Sequence, residues 1–154
     1  IFLFGIIVLQ GNLRSGGNGD ALSRYGLLFI AVGVVGWTIG LGASLAIAGS
    51  GLPAAQAVGT FGSLYSATLG ISTVAGLLAG IGFLGVSLAV STRDDYNKIF
   101  ALVAVVAAVV GIVVTLIGGM DSSQLENMNL ITGIVYVIHT AWFITLGLKL
   151  IKTD

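Results

Sequence analysis

The only histidine of the chain, His139, lies in the sequence YVIHTAWF, inside an uncharged stretch that runs from Asn127 to Gly147. An imidazole can ligate haem iron or another metal, relay a proton, or donate and accept hydrogen bonds. The chain has no second histidine and no cysteine. A metal site at His139 would therefore need ligands from another chain, and a proton relay would need a neighbouring titratable group. We expect His139 to be a packing residue, and contact with haem or quinone is the alternative.

A neutral imidazole inside a membrane still has one hydrogen-bond donor and one acceptor, and leaving either unpaired costs about 1–3 kcal/mol. His139 should therefore face the other helices and bond to a hydroxyl group. The candidate hydroxyls lie in the two apolar stretches nearer the N-terminus: Thr38, Tyr65, Ser66, Thr68, Ser72 and Thr73.

The solvent around most of this chain is predicted to be lipid. Charged residues make up 8% of the sequence and hydrophobic residues 56%, whereas soluble domains carry about 25% charged residues. Four apolar stretches, at about 27–48, 59–90, 99–120 and 130–151, exceed the roughly 20 residues that span a bilayer. The predicted fold is all-α: a polytopic membrane bundle of four transmembrane helices plus a short N-terminal apolar segment.

Three segments fit this scheme less simply. The second stretch is longer than a bilayer requires, so its helix should begin above the membrane, tilt, or kink near Gly70. Residues 1–10, IFLFGIIVLQ, are too few to span and form either part of a fifth transmembrane helix or an interfacial segment. Residues 11–26 are predicted to be a cytoplasmic connector, in which GGNG (residues 16–19) indicates flexibility and lacks the lysine of a phosphate loop.

The basic residues fall in three pairs along the chain. One pair precedes the first span, one lies between the second and third, and one ends the fourth, while the other two loops have none; the pairs are Arg14 and Arg24, Arg93 and Lys98, Lys149 and Lys152. Loops rich in Lys and Arg stay in the cytoplasm. The sequence therefore predicts that the basic loops and the C-terminus are cytoplasmic.

Small residues recur every four positions in three of the spans, which places them on one helix face. Transmembrane helices associate through such small-residue faces because lipid tails give apolar side chains no reason to cluster. The predicted helix-packing residues are Gly36, Gly40, Ser44, Gly76, Gly80, Ala107, Gly111 and Thr115.

Several function classes are disfavoured by composition. No Asp, Glu, Lys or Arg lies within the core of a span, and ion-driven rotor rings need an embedded carboxylate there. Nucleic-acid binding is disfavoured because the chain has a formal net charge of zero and so lacks the positive charge that attracts phosphates.

We expect a non-catalytic accessory or structural subunit of a larger integral membrane complex of the respiratory or membrane-oxygenase type. Its partners would be the lipid bilayer and other integral membrane subunits, with no metal site and no required cofactor. One alternative is a subunit that contacts haem or quinone through His139. The other is a small carrier or channel for a neutral solute, using the hydroxyl-rich start of the second span.

Overall fold

Five α-helices make up the fold in a computed structural model that describes residues 2–15 and 19–153. They are α1 (Phe2–Ser15), α2 (Asp20–Gly49), α3 (Ala54–Ser91), α4 (Lys98–Met120) and α5 (Leu125–Thr153), with a single 3-10 turn, Ser122–Gln124, before α5. Helices α2 to α5 are long and apolar enough to cross a membrane, and α1 is a shorter apolar helix. The predicted all-α bundle with a short N-terminal segment is confirmed, and its four long helices indicate a multi-pass integral membrane protein.

The helices begin and end where the local sequence requires it. Pro53, which has no N–H to donate, precedes the first turn of α3, and Gly51 takes a left-handed backbone angle in the turn before it (φ 66°). The side chain of Asn97 caps α4 by accepting hydrogen bonds from the backbone N–H groups of Ile99 and Phe100. Asparagine is among the preferred residues for this capping role.

Helix continues further at the N-terminus than the sequence indicated. Residues 11–15 and 20–26, expected in a connector, belong to α1 and α2, and residues 16–18 lie outside the described residues. Helix α1 persists because Ile6, Leu9 and Leu13, spaced three and four apart, are all buried. This apolar stripe attaches α1 to the bundle.

Helix α3 is central. Half of its most apolar stretch is buried, against 22–28% in the other long helices, and it packs against both α2 and α4. The backbones of α2 and α3 come closest at Gly26 and Gly82. An added Cβ at Gly26 would lie 2.7 Å from the carbonyl oxygen of Gly82, and one at Gly82 would lie 2.7 Å from the carbonyl oxygen of Gly26. Only hydrogen at both positions permits these backbones to touch.

The predicted packing residues differ in their surroundings. An added Cβ would approach Ala75 at Gly36, Ser72 at Gly40, Thr115 at Gly76, Ile112 at Gly80 and Val135 at Gly111, and Ala107 is buried. Ser44, in contrast, is exposed, because α2 extends there beyond the packed part of the bundle. At Gly26, Gly33 and Gly82, which the spacing rule did not select, an added Cβ would lie 2.6–2.8 Å from its nearest neighbour, as close as at the predicted Gly36, Gly40 and Gly80.

The α2–α3 pair extends past the end of α4. An added Cβ at Gly119, next to the last residue of α4, would contact Thr73, yet α3 begins at Ala54. Residues 41–67 therefore form a projecting hairpin, about 20 Å long at 1.5 Å per helical residue. Nothing in 41–53 or 55–67 is buried. The long second stretch is accommodated by an uninterrupted helix that continues beyond its neighbours.

We expect Gly26→Ala to lower the free energy of unfolding by about 1–3 kcal/mol, because its Cβ must displace the α3 backbone. Gly42→Ala is the matched control, since its added Cβ meets nothing within 4 Å on the same helix. Equilibrium unfolding in mixed detergent micelles measures both changes. Equal stability of the two variants would contradict this account of the α2–α3 contact.

Candidate functional site

His139 is buried in α5, with 2% of its surface exposed. Its Nδ1 lies 2.9 Å from the carbonyl oxygen of Val135, one turn earlier in the same helix. A carbonyl only accepts, so we assign the proton to Nδ1, and in the neutral imidazole Nε2 is then a bare acceptor. The ring stacks on Phe83 of α3 at a centroid distance of 4.7 Å.

The second nitrogen of His139 is enclosed by the bundle. Nε2 is buried and makes no hydrogen bond to the part of the chain that the structure describes. The backbone of Ala104 on α4 approaches the imidazole, but outside the geometry of a hydrogen bond. Axial ligation requires a ring nitrogen that is open to the iron. In this arrangement one nitrogen is bonded and the other is covered, which does not fit haem.

The expected hydroxyl partner of His139 is therefore corrected to a backbone carbonyl. Thr38, Ser66, Thr68 and Thr73 instead donate to carbonyls one turn back in their own helices, at 2.8–3.0 Å, and Tyr65 is 53% exposed. A carbonyl four residues back is always within reach of a helical hydroxyl. Each of these four helical hydroxyls is therefore satisfied within its own helix.

An apolar cavity of about 850 Å³ lies between α1, α2, α3 and α5. Aromatic rings from all four helices line it: Phe2, Phe4, Trp37, Phe83, Tyr136 and Phe143. Phe143 contacts Phe2 edge-on at 5.4 Å and Phe83 at 5.8 Å. Two residues of its wall carry hydroxyls, Tyr136 and Thr140, and neither hydroxyl makes a hydrogen bond to any described residue. We call this space the aromatic cavity.

A second cavity, of about 220 Å³, lies between α2, α3, α4 and the start of α5. Its wall contains Ser72, Thr73, Thr115 and Thr132, with Asn129 near the α4–α5 turn. We call it the hydroxyl cavity. Trp37 and Tyr136 line both cavities and meet edge to face at 5.6 Å. This aromatic pair separates the two spaces.

Polar contacts hold α1, the outer wall of the aromatic cavity, at the basic end of the bundle. Arg93 donates to the backbone oxygen of Leu13 at 3.3 Å, and the Tyr96 hydroxyl bonds to Asn12 at 2.9 Å. Arg93 also pairs with Asp95 at 2.8 Å, and this hydrogen bond lowers the pKa of the Asp95 carboxyl. The carboxylate therefore stays charged and fixes the guanidinium beside α1.

Lys149 joins the same end of the bundle from α5. Its ammonium lies 3.7 Å from the ring centroid of Tyr96 and 3.9 Å from Asp95. Burial raises the pKa of the Tyr96 phenol, which keeps it a hydrogen-bond donor to α1. Within the described residues, no group of three or more His, Cys, Asp or Glu side chains is placed to hold a metal ion.

Comparison of the chain with protein-family models, with curated proteins and with solved structures finds no match.

We expect His139→Ala to lower the free energy of unfolding by about 2–4 kcal/mol, because it leaves a void beside Phe83. His139→Leu keeps the volume and removes an unpaired nitrogen, so its stability should stay within about 1 kcal/mol of the parent. Unfolding in mixed micelles compares the two variants. Equal damage from both would mean that the imidazole nitrogen, and not its bulk, is required.

Proposed function

We propose that this protein is a non-catalytic accessory subunit of a larger integral membrane complex and that its projecting hairpin docks on a partner subunit. The observation that carries the proposal is the composition of that hairpin. No charged residue occurs from Tyr25 to Thr92. Leu41, Leu45 and Val58 are 62%, 62% and 73% exposed.

The charges near the end of α4 indicate where the membrane surface lies. Asp121 is exposed and Glu126 is in the first turn of α5, and a carboxylate inside lipid is costly. Helix α4 has 23 residues, or about 34 Å of helix, which already covers a hydrocarbon core of about 30 Å. With α4 across the bilayer, the hairpin extends beyond the lipid on the side of Asp121.

An apolar hairpin beyond the lipid would face water. Contiguous exposed apolar surface of this kind marks a binding site. The small residues of the hairpin, among them Gly42, Ala43 and Ser44, permit close approach of another helix. A larger membrane protein with an uncharged surface at this height would cover it.

The same ends suggest an orientation. Arg93, Lys149 and the last turn of α1 come together at one end, since Arg93 bonds to Leu13 and Lys149 lies over Tyr96. Basic residues favour the cytoplasmic side. The proposal therefore includes a cytoplasmic basic end and a hairpin on the opposite side of the membrane.

Single cysteines test both parts, because the chain has none of its own. Ser63→Cys marks the hairpin and Ser123→Cys marks the α4–α5 turn; both positions are exposed. With a membrane-impermeant maleimide on intact cells, Ser123→Cys should react and Ser63→Cys should be protected by the partner. After purification in detergent both should react at similar rates.

Any other labelling pattern would contradict one part of the proposal, either the orientation or the docking of the hairpin. Labelling of Ser123→Cys only after the membrane is opened would reverse the orientation. Equal labelling of both cysteines in intact cells would overturn docking of the hairpin. Protection that persists in the purified chain would replace the larger partner by a second copy of this protein.

The aromatic cavity favours a second candidate function, the binding of a lipid-soluble ring compound of the quinone class. Rings from four helices surround the space, and aromatic pairs prefer the edge-on and offset contacts that a planar guest would extend. The unbonded Thr140 hydroxyl supplies a donor for a carbonyl oxygen. His139 would contribute its ring to the wall, with Nε2 turned into the bundle.

Titration with a short-chain benzoquinone in lipid nanodiscs, followed by tryptophan fluorescence, tests this candidate. Gly147 lines the cavity and an added Cβ there meets nothing within 4 Å. Gly147→Leu should therefore fill the space and weaken binding by at least about tenfold, whereas Thr140→Val should weaken it about 2–10-fold.

The matched controls are Gly133→Leu, whose added Cβ is also unobstructed, and Thr145→Val, whose hydroxyl bonds to Trp142. Neither control position lines a cavity described above, so both variants should bind like the parent. Non-saturable quenching, or equal loss in variants and controls, would exclude the candidate.

A further inference from the structure

The hydroxyls inside the bundle fall into two groups. Most donate to a carbonyl of their own helix, as Thr115 does to Gly111 at 2.8 Å and Ser87 to Phe83 at 2.7 Å. Ser72 of α3 and Thr132 of α5 are half-buried yet make no hydrogen bond to any residue that the structure describes. Both line the hydroxyl cavity.

An unpaired hydroxyl in a low-dielectric interior costs about 1–3 kcal/mol. Two such residues line one space, together with Tyr136, whose hydroxyl also makes no hydrogen bond to a described residue, and they favour an occupant that can hydrogen-bond. Each hydroxyl both donates and accepts, so the occupant should offer both kinds of group. At about 220 Å³ the cavity has room for several water molecules or one small solute.

The lining also sets the charge of the occupant. No Asp, Glu, Lys, Arg or His side chain lines the hydroxyl cavity among the described residues, and an ion there would lack the partner that a buried charge requires. Trp37 and Tyr136 close the cavity toward the aromatic cavity, while Asn129 at its other end is exposed. A small polar molecule would therefore enter from the side of the α4–α5 turn.

We infer that the hydroxyl cavity is a binding site for a small neutral molecule that carries both hydrogen-bond donors and acceptors, the chemistry of a primary amide. Ser72 and Thr132 are its hydrogen-bonding residues, and Trp37 forms an aromatic wall. This site depends neither on docking of the projecting hairpin nor on a quinone in the aromatic cavity, so failure of either proposed function would leave it unaffected.

Acrylamide is a suitable probe because it is a small neutral amide that quenches tryptophan fluorescence. Trp142→Phe leaves Trp37 as the only tryptophan. Steady-state intensity and fluorescence lifetime are measured together in lipid nanodiscs. We expect a saturable loss of intensity without a matching loss of lifetime, which identifies amide bound beside Trp37.

Variants that remove one hydroxyl define the site. Ser72→Ala and Thr132→Val should each weaken acrylamide binding about 2–10-fold, the effect of one lost hydrogen bond. Thr132→Ser keeps the hydroxyl and should bind like the parent, and so should Thr145→Val, since Thr145 lies outside the cavity. Circular dichroism and elution volume verify that each variant is folded.

Three results would overturn the inference. Purely collisional quenching, in which intensity and lifetime fall together, would mean that the cavity holds no bound amide. Equal saturable quenching by iodide would remove the requirement for a neutral ligand. Unchanged binding in both Ser72→Ala and Thr132→Val would show that the hydroxyls do not recognise it.

Discussion

The contact between the backbones of α2 and α3 is the constraint on which the rest of the structure depends. Lipid gives helices little reason to bury apolar side chains against one another, so they associate where their backbones can approach. Gly26 and Gly82 permit that approach, and Gly33 continues it against Ala75. With α2 fixed in this way, α3 becomes the buried centre on which α4 packs through Gly80 and Ile112. The same contact continues to Gly40 and aligns the two helices that form the projecting hairpin.

Charge placement then gives the bundle its two distinct ends. At the basic end Arg93 and Asp95 connect three elements. The guanidinium of Arg93 bonds to Leu13 of α1 and to Asp95 in the α3–α4 turn, and Lys149 of α5 lies near the same carboxylate. At the other end Asp121 is exposed between α4 and α5, and an uncharged hairpin extends beyond it. A chain with so few charges uses them mainly at its loops. The hairpin, which carries no charge at all, is accordingly the surface on which a protein partner is proposed.

Sequence periodicity and composition predicted the helical bundle and the four long helices, because both follow from local properties of the chain. They selected Gly36, Gly40 and Gly80 but not Gly26, Gly33 and Gly82, where an added Cβ would meet equally close neighbours. Spacing favoured Ser44 over Gly26, since a repeat of four says where a face lies but not where along it a neighbour crosses. The packing of α1 against the bundle could not be predicted from the sequence either, because Arg93 and Leu13 are distant in sequence and meet only in the fold. The sequence suggests a hydroxyl partner for His139, yet a helix always brings the carbonyl of the residue four positions earlier within reach, and Val135 is that residue.

The polar groups that the helices leave unsatisfied separate structural from functional candidates. Nε2 of His139 is buried and the imidazole stacks on Phe83, so no ligand reaches that nitrogen without rearrangement. The hydroxyls of Ser72 and Thr132 are also unsatisfied, but they adjoin an open cavity. An enclosed acceptor such as Nε2 of His139 lowers the stability of the fold whether or not a ligand is present. An unpaired hydroxyl beside a cavity also lowers stability, but a bound ligand can supply its missing hydrogen bond. By that criterion the hydroxyl cavity, which His139 does not line, is the place where we infer a ligand.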